Sequence, residues 1–312
     1  MPPEVVPGGR QAPGREALRR LRWPLYHRLG VHTAGDERSR YRGPGIEYAD
    51  VREYQPAEDA RLIDWNLTAR SDRPYVRESH QERGLDVWLL VDASRSLDWG
   101  TVRSLKKDAA RDLVDLLTLM LARHGSRVGA IVFDTDMRRV FPLTGGREGR
   151  LKLMSRVDAE RANSGAGGRT NLASTLERAS RLIKRPSLVL VISDFLVDDG
   201  WQHHLKALAL RHDVVAVRVS DPRESDLPSI GIVTFEDPET GSQLEVDTTN
   251  RKLRERYRVA AANKRAGLLS ELRAARAQVL EVSTAEPVIN QLIAYLRVRQ
   301  VMRGRRVAGR SR

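Results

Sequence analysis

From Asp86 onward the chain alternates short apolar runs with stretches of helical periodicity, the pattern of a parallel sheet covered on both faces. Asp86–Val91 (DVWLLV) is apolar almost without interruption, as a central strand buried on both sides must be. In residues 102–124, Leu105, Ala109, Leu113, Leu116, Leu117 and Met120 fall on one helical stripe, and Gly125 stands where a left-handed C-terminal cap belongs. Val128–Phe133 predicts a second strand and Arg139–Pro142 a short returning one. Helices are expected at 148–158 and 172–184, with a third buried strand, SLVLVI, over Ser187–Ile192. A helix at 201–212, a strand at 213–219 and a hairpin within 231–247 continue the series. A long helix at 250–276, a strand at 278–282 and a helix at 287–299 complete it. The fold class is therefore α/β, a doubly wound, mostly parallel sheet with helices on both faces.

The stretch before Asp86 reads differently. Residues 1–14 are rich in Pro and Gly and suit a disordered lead. Leu18, Leu21, Leu25 and Leu29 then recur at helical spacing in a short basic helix over Glu16–Leu29, which Pro24 should bend. The expected organisation is a basic lead, helix and linker over 1–45, a β-rich segment packed on the core over 46–85, the α/β domain over 86–300 and a disordered basic tail over 301–312.

Charge changes the picture less than its total suggests. The formal net charge is +13, but residues 1–45 hold nine Arg against four acidic residues, and 297–312 hold seven Arg and none acidic. The body between is close to neutral, so no groove-reading basic surface is expected of the folded part, while the ends could contact anionic lipid, RNA or an acidic protein. There is no cysteine, which excludes disulfides, thiolate metal sites and a cysteine nucleophile. No apolar run approaches a membrane span and the first residues carry no secretory pattern, so a cytoplasmic home is expected, with a peripheral place at the inner membrane as the variant the basic ends allow.

The candidate chemistry lies at strand ends. Asp92-Ala93-Ser94-Arg95-Ser96 follows the first buried strand, Thr170 follows the glycine-rich loop 165–169, and Asp194 closes the SLVLVI strand. In an open α/β sheet, loops from separate strands converge at the carboxyl edge, so these residues can share one site. Hydroxyls and a few carboxylates suit a hard cation, Mg²⁺ or Mn²⁺, that keeps several waters. Ser94, Ser96 and Thr170 would bind directly, Asp92 and Asp194 through water or hydroxyl hydrogen bonds, and an open position would attract an acidic side chain. Alone, D-x-S-x-S reads as a turn with serine caps ahead of the helix at 102. With Thr170 and Asp194 in place, the set resembles the metal-ion-dependent adhesion site of von Willebrand factor type A domains, which implies a non-catalytic, metal-dependent protein-binding function.

A second resemblance covers most of the chain. Gly45-Ile46-Glu47-Tyr48-Ala49-Asp50-Val51-Arg52-Glu53-Tyr54, then Asp59-Ala60-Arg61-Leu62-Ile63-Asp64-Trp65 and Thr68-Ala69-Arg70, is similar to the signature of the bacterial family called domain of unknown function 58. Ala57-Glu58-Asp59 departs from the family's usual Gly-Asp turn. The resemblance implies a type A-like domain after this segment and a MoxR-type AAA+ ATPase as partner. Read as charges, Arg52, Asp59, Arg61, Asp64 and Arg70 can pair around Trp65 and fasten the segment to the core; docking of a partner is the other reading.

Other signals fail. Asp134-Thr135-Asp136 after an apolar strand is similar to the opening of haloacid dehalogenase-like phosphatases, with Asp134 as nucleophile and Asp136 as acid/base, but a returning strand follows where a cap region is needed. The glycine loop lacks phosphate-loop spacing, since Asn163 and Arg169 replace the required Gly and Lys. His203 and His204 are adjacent and expected on different helix faces, so they do not suggest zinc.

Overall fold

The computed structural model describes Trp23, residues 48–54, 63, 65–69 and 73–79, and then 85–308 apart from 102, 122–125, 163–169, 198 and 237–242. The chain divides into two compact units, residues 32–84 by themselves and residues 1–31 together with 85–312.

In the smaller unit, β1 (Tyr48–Glu53) and β2 (Tyr75–Ser79) pair antiparallel, with Val51 opposite Arg77 and Glu53 opposite Tyr75. A single helical turn, α1 (Trp65–Thr68), lies between them, and the Thr68 hydroxyl accepts from the Tyr75 amide at 3.1 Å. Trp65 is exposed within this turn. Of the expected charge network, the Arg52 side chain and all of Asp59, Arg61, Asp64 and Arg70 lie outside the described residues.

The larger unit is built on one six-stranded sheet. Its strands are β3 (Asp86–Asp92), β4 (Arg127–Phe133), β5 (Met137–Thr144), β6 (Leu188–Ser193), β7 (Asp213–Ser220) and β10 (Gln278–Ser283). A separate antiparallel hairpin, β8 (Ile232–Glu236) with β9 (Gln243–Asp247), stands where one was expected. The order across the large sheet is β10-β7-β6-β3-β4-β5, parallel throughout except for the β5 edge. Chain order thus reverses at β3, whose two neighbours are β4 on one side and β6 on the other. This is the doubly wound arrangement, whose ligand crevice opens at the carboxyl ends of the strands beside the reversal.

Helices cover both faces. They are α2 (Lys106–Leu121), α3 (Gly146–Ala162), α4 (Leu172–Leu182), α5 (Trp201–Arg211), α6 (Arg251–Ala274) and α7 (Val288–Ala308). Val87, Leu89 and Val91 of β3 point into a core shared with α2, α3 and α7, whereas Trp88 and Leu90 point into a second core shared with α4, α5 and α6. The period-two alternation of a strand explains why Val87–Val91 had to be apolar at every position. Gly129 in β4 permits the sheet to close locally: a Cβ there would stand 2.9 Å from the Phe141 carbonyl oxygen and 3.0 Å from the Trp88 ring.

Three boundaries differ from the sequence reading. The helix expected from 102 begins at Lys106, because a 3-10 turn (Arg95–Asp98) and a tight loop occupy the space ahead of it. The last helix does not stop at 299 but continues through Ala308, so the backbone of most of the basic tail is helical. Trp23, from the expected short basic helix, is buried in the first core, with its ring 6.1 Å from that of Tyr295 and 4.9 Å from the Arg299 guanidinium. The rest of the helix expected over 16–29 lies outside the described residues. The His203 and His204 rings also lie together, 3.7 Å apart, and not on separate faces.

Candidate metal centre

Asp92 is the last residue of β3 and is completely buried. A carboxylate in that position must be hydrogen-bonded. Its Oδ1 accepts from the Ser94 amide at 2.8 Å and its Oδ2 from the Ser193 hydroxyl at 2.6 Å. The Ala93 amide donates to the Phe133 carbonyl at 2.8 Å, so the turn leaving β3 is tied to β4 on one side and to the end of β6 on the other. Burial and the negative charge of Asp194 push the Asp92 carboxyl up to about 6, against the opposing effect of its hydrogen bonds.

Ser94 and Ser96 are both buried, and their hydroxyl oxygens stand 2.9 Å apart. Ser94 occupies the cap position of the 3-10 turn, yet its side chain caps no backbone amide. The bland account of that serine as a cap therefore fails: its hydroxyl faces the other serine. The two oxygens do meet, but not by extended-chain alternation: Ser94 is extended and Ser96 already lies within the 3-10 turn, so the bend between them brings the hydroxyls together.

Asp194 follows β6 and is buried. The turn it begins is bent by Phe195, which adopts a left-handed conformation with φ 56°. Such a backbone is costly for an aromatic residue and is held here by two hydrogen bonds and by packing. The Phe195 amide donates to Ser193 Oγ at 3.0 Å, the Leu196 amide donates to Asp194 Oδ1 at 3.0 Å, and the Phe195 ring packs 5.8 Å from that of Trp201. Thr170 is buried too, and the next residue's amide donates to the Asp134 carbonyl at 3.0 Å, which places Thr170 at the carboxyl end of β4. The five expected residues thus stand at the ends of β3, β4 and β6, around the reversal of strand order. The glycine loop 165–169 itself lies outside the described residues.

The donor set fits a hard cation. Two oxygens in neighbouring positions of an octahedron with Mg–O bonds near 2.05 Å are about 2.9 Å apart, the separation two serine hydroxyls must supply. Among the described residues no group of three or more His, Asp or Glu side chains gathers at one point, so a divalent cation here would meet two carboxylates, enough to match its charge but none in excess.

Sequence reasoning gave no role to three members of this neighbourhood, Ser193, Lys106 and Glu224. Ser193 bridges Asp92 to the β6 turn. Lys106, buried at the start of α2, donates from Nζ to Asp194 Oδ2 at 2.7 Å and to Glu224 Oε1 at 2.6 Å. Burial would lower its pKa, but the charges of Asp194 and Glu224 outweigh that and hold it above the ordinary lysine value. Lys106 reaches inward because the loop before it doubles back at Gly100, where a Cβ would come within 2.4 Å of the Ser104 carbonyl oxygen. The only sequence signal was a lysine at the inward edge of an otherwise apolar stripe.

The rival aspartates are engaged elsewhere. Asp134 Oδ2 accepts from Arg138 at 2.7 Å, and Asp136 accepts from Arg178 at 2.9 Å. β5 starts at Met137, directly after them, as a polar turn between paired strands requires.

Residues 50–267 match the family described as "Protein of unknown function DUF58". Over 300 residues the chain is 33% identical to Uncharacterized protein Mb1516 of Mycobacterium bovis and to Uncharacterized protein Rv1480 of Mycobacterium tuberculosis, covering 96% of this chain and 94% of each relative. Among solved structures, BatB from Bacteroides thetaiotaomicron has 16% identity, with 70% of this chain and 99% of that one covered at a TM-score of 0.46. The SpRpn10 VWA domain has 10% identity, with 68% and 94% covered at a TM-score of 0.38.

Proposed function

Since the chain belongs to the family described as Protein of unknown function DUF58, and its larger unit has the doubly wound α/β architecture expected of a type A-like domain, we propose that it is a non-catalytic adaptor that captures a protein partner through a bound divalent cation. Mg²⁺, or Mn²⁺ in its place, would be held by Ser94, Ser96 and Thr170 directly and by Asp92 and Asp194 through hydrogen bonds. The single observation that carries this reading is the buried pair of serine hydroxyls, 2.9 Å apart beside the buried Asp92 carboxylate.

When bound, the cation would supply an electrophilic position for an oxygen ligand. The protein's own residues prepare for that. Ser193 and the Ser94 amide fix both oxygens of Asp92, leaving its charge to act on the hydroxyl pair. Trp99 and Leu196, each within a few residues of the site, are exposed at 38% and 39% and offer apolar contact around it. The partner chemistry that fits is a carboxylate flanked by apolar side chains, which would exclude water from the contact. A MoxR-type AAA+ ATPase is the partner the family resemblance suggests. No helix among the described residues is long and apolar enough to cross a membrane.

The experiment is calorimetric titration of the full chain with Mg²⁺ and Mn²⁺. Weak binding is expected in the wild type, loss of binding in Asp92→Ala, and unchanged binding in Asp134→Ala. Equal affinity in wild type and Asp92→Ala overturns the reading.

A further inference from the structure

Lys106 brings a positive charge against one member of the proposed cation site. Its side chain is 2% exposed, and its Nζ lies 2.7 Å from Asp194 Oδ2, a carboxylate proposed to face the metal. Burial of an ammonium is tolerated only with close partners. The second partner, Glu224, is itself held from several directions. Its Oε2 accepts from the Asp221 amide at 3.3 Å, and the Tyr257 hydroxyl donates to its carbonyl at 3.0 Å. Asp221 in turn accepts from the Thr101 amide at 2.9 Å, from the Thr101 hydroxyl at 2.7 Å and from the Thr284 hydroxyl at 2.5 Å. The ammonium is thus pinned between the ends of β6 and β7 by an anchored acid.

A packing role alone would not call for a charge at this point. Two cations a few ångströms apart in a poorly solvated space repel strongly, and each competes for Asp194. We propose that Lys106 is a built-in counter-ion of the cation site: it neutralises Asp194 when no divalent ion is present, and with Glu224 it sets how weakly the site holds Mg²⁺. The proposal rests on the metal-site reading above and adds its regulation. Lys106 disfavours the cation and Glu224 offsets Lys106, so the cation is held firmly only when a further negative charge arrives. A partner's carboxylate supplies that charge, which makes cation and partner binding mutually reinforcing.

The two residues of this ion pair should therefore act with opposite signs. In Mg²⁺ titrations of the full chain, Lys106→Met is expected to bind at least tenfold more tightly than wild type, and its melting temperature should rise further on adding Mg²⁺. Glu224→Gln is expected to bind at least threefold more weakly. If Lys106 and Glu224 only hold the loops in place, both variants weaken binding together, and that outcome overturns the counter-ion role while leaving the metal site standing. Unchanged or weaker binding by Lys106→Met does the same. Absence of binding in wild type and in both variants overturns the metal site and the counter-ion role with it. Binding by Lys106→Met where wild type shows none supports both. Should Lys106→Met fail to fold, unchanged or tighter binding by Glu224→Gln overturns the proposal.

Discussion

Asp213, the first residue of β7, and Arg299, deep in α7, form an ion pair of 2.6 Å with each side chain 1% exposed. The pair lies at the amino edge of the sheet, opposite the candidate metal centre. Gln278 also donates to Asp213 at 3.2 Å, and Arg299 donates to the Tyr295 hydroxyl at 3.0 Å while covering the Trp23 ring. Removing one partner of such a pair strands the other charge away from water. Arg299→Ala is expected to destabilise the larger unit by about 3–5 kcal/mol in urea unfolding. Pairing Arg299→Met with Asp213→Asn should restore much of that loss, since no charge is then left alone.

Ser193→Ala tests the residue that links Asp92 to the β6 turn. The change removes the hydroxyl hydrogen bond to Asp92 Oδ2 and the acceptor for the Phe195 amide. A loss of about 1–3 kcal/mol in stability is expected for leaving such buried groups unsatisfied. Mg²⁺ affinity should fall as well, because Asp92 is no longer oriented. Unchanged affinity in a folded Ser193→Ala variant would remove Ser193 from the site.

His212 predicts the direction of one pH effect. It is buried after α5, its Nδ1 accepts from the Ser187 amide at 3.2 Å, and burial, aided by Arg211, pulls its pKa down to about 4. The unfolded chain takes up this proton near pH 6.5 and the folded chain only near pH 4, so the contribution is complete above about 6.5 and is lost as pH falls toward 4. Asp92 works the other way: its folded value of about 6 lies above the unfolded 3.8, so its contribution is lost as pH rises through that interval. The difference between wild type and His212→Asn isolates the histidine. Wild type should lose more stability than the variant between pH 7.5 and pH 5 in parallel urea titrations, both values being about one unit outside or inside the histidine's window.

Deleting residues 301–312 should leave cooperative unfolding intact. The α7 residues that enter the first core, Val288, Leu292 and Leu296, and the ion-paired Arg299 all precede the cut, and Val301 is exposed at 59%. Thermal unfolding of the truncated chain checks this. Affinity for anionic vesicles should drop in the same variant, since the deleted stretch carries only positive formal charges.

Much of this fold is written in local sequence. Period-two and helical patterns located the six strands of the large sheet and the helices that cover it, because burial on one or two faces leaves a repeat that a single chain displays. D-x-S-x-S, Thr170 and Asp194 were legible for a related reason: each stands at the end of a recognisable strand or before a recognisable helix. What the chain could not display locally is whatever depends on two distant segments meeting. Lys106 is 88 residues from Asp194 and 118 from Glu224, and only the folding of α2 against the ends of β6 and β7 turns an ordinary helical lysine into a buried counter-ion. Ser193 lies 101 residues from Asp92, and Trp23 joins the core only because α7 presents Tyr295 and Arg299 to it. The pattern of residues determined which elements form and which side chains could bind a cation; tertiary packing alone decided which charges share the site, because Coulomb interactions and desolvation act through space and are blind to distance along the chain.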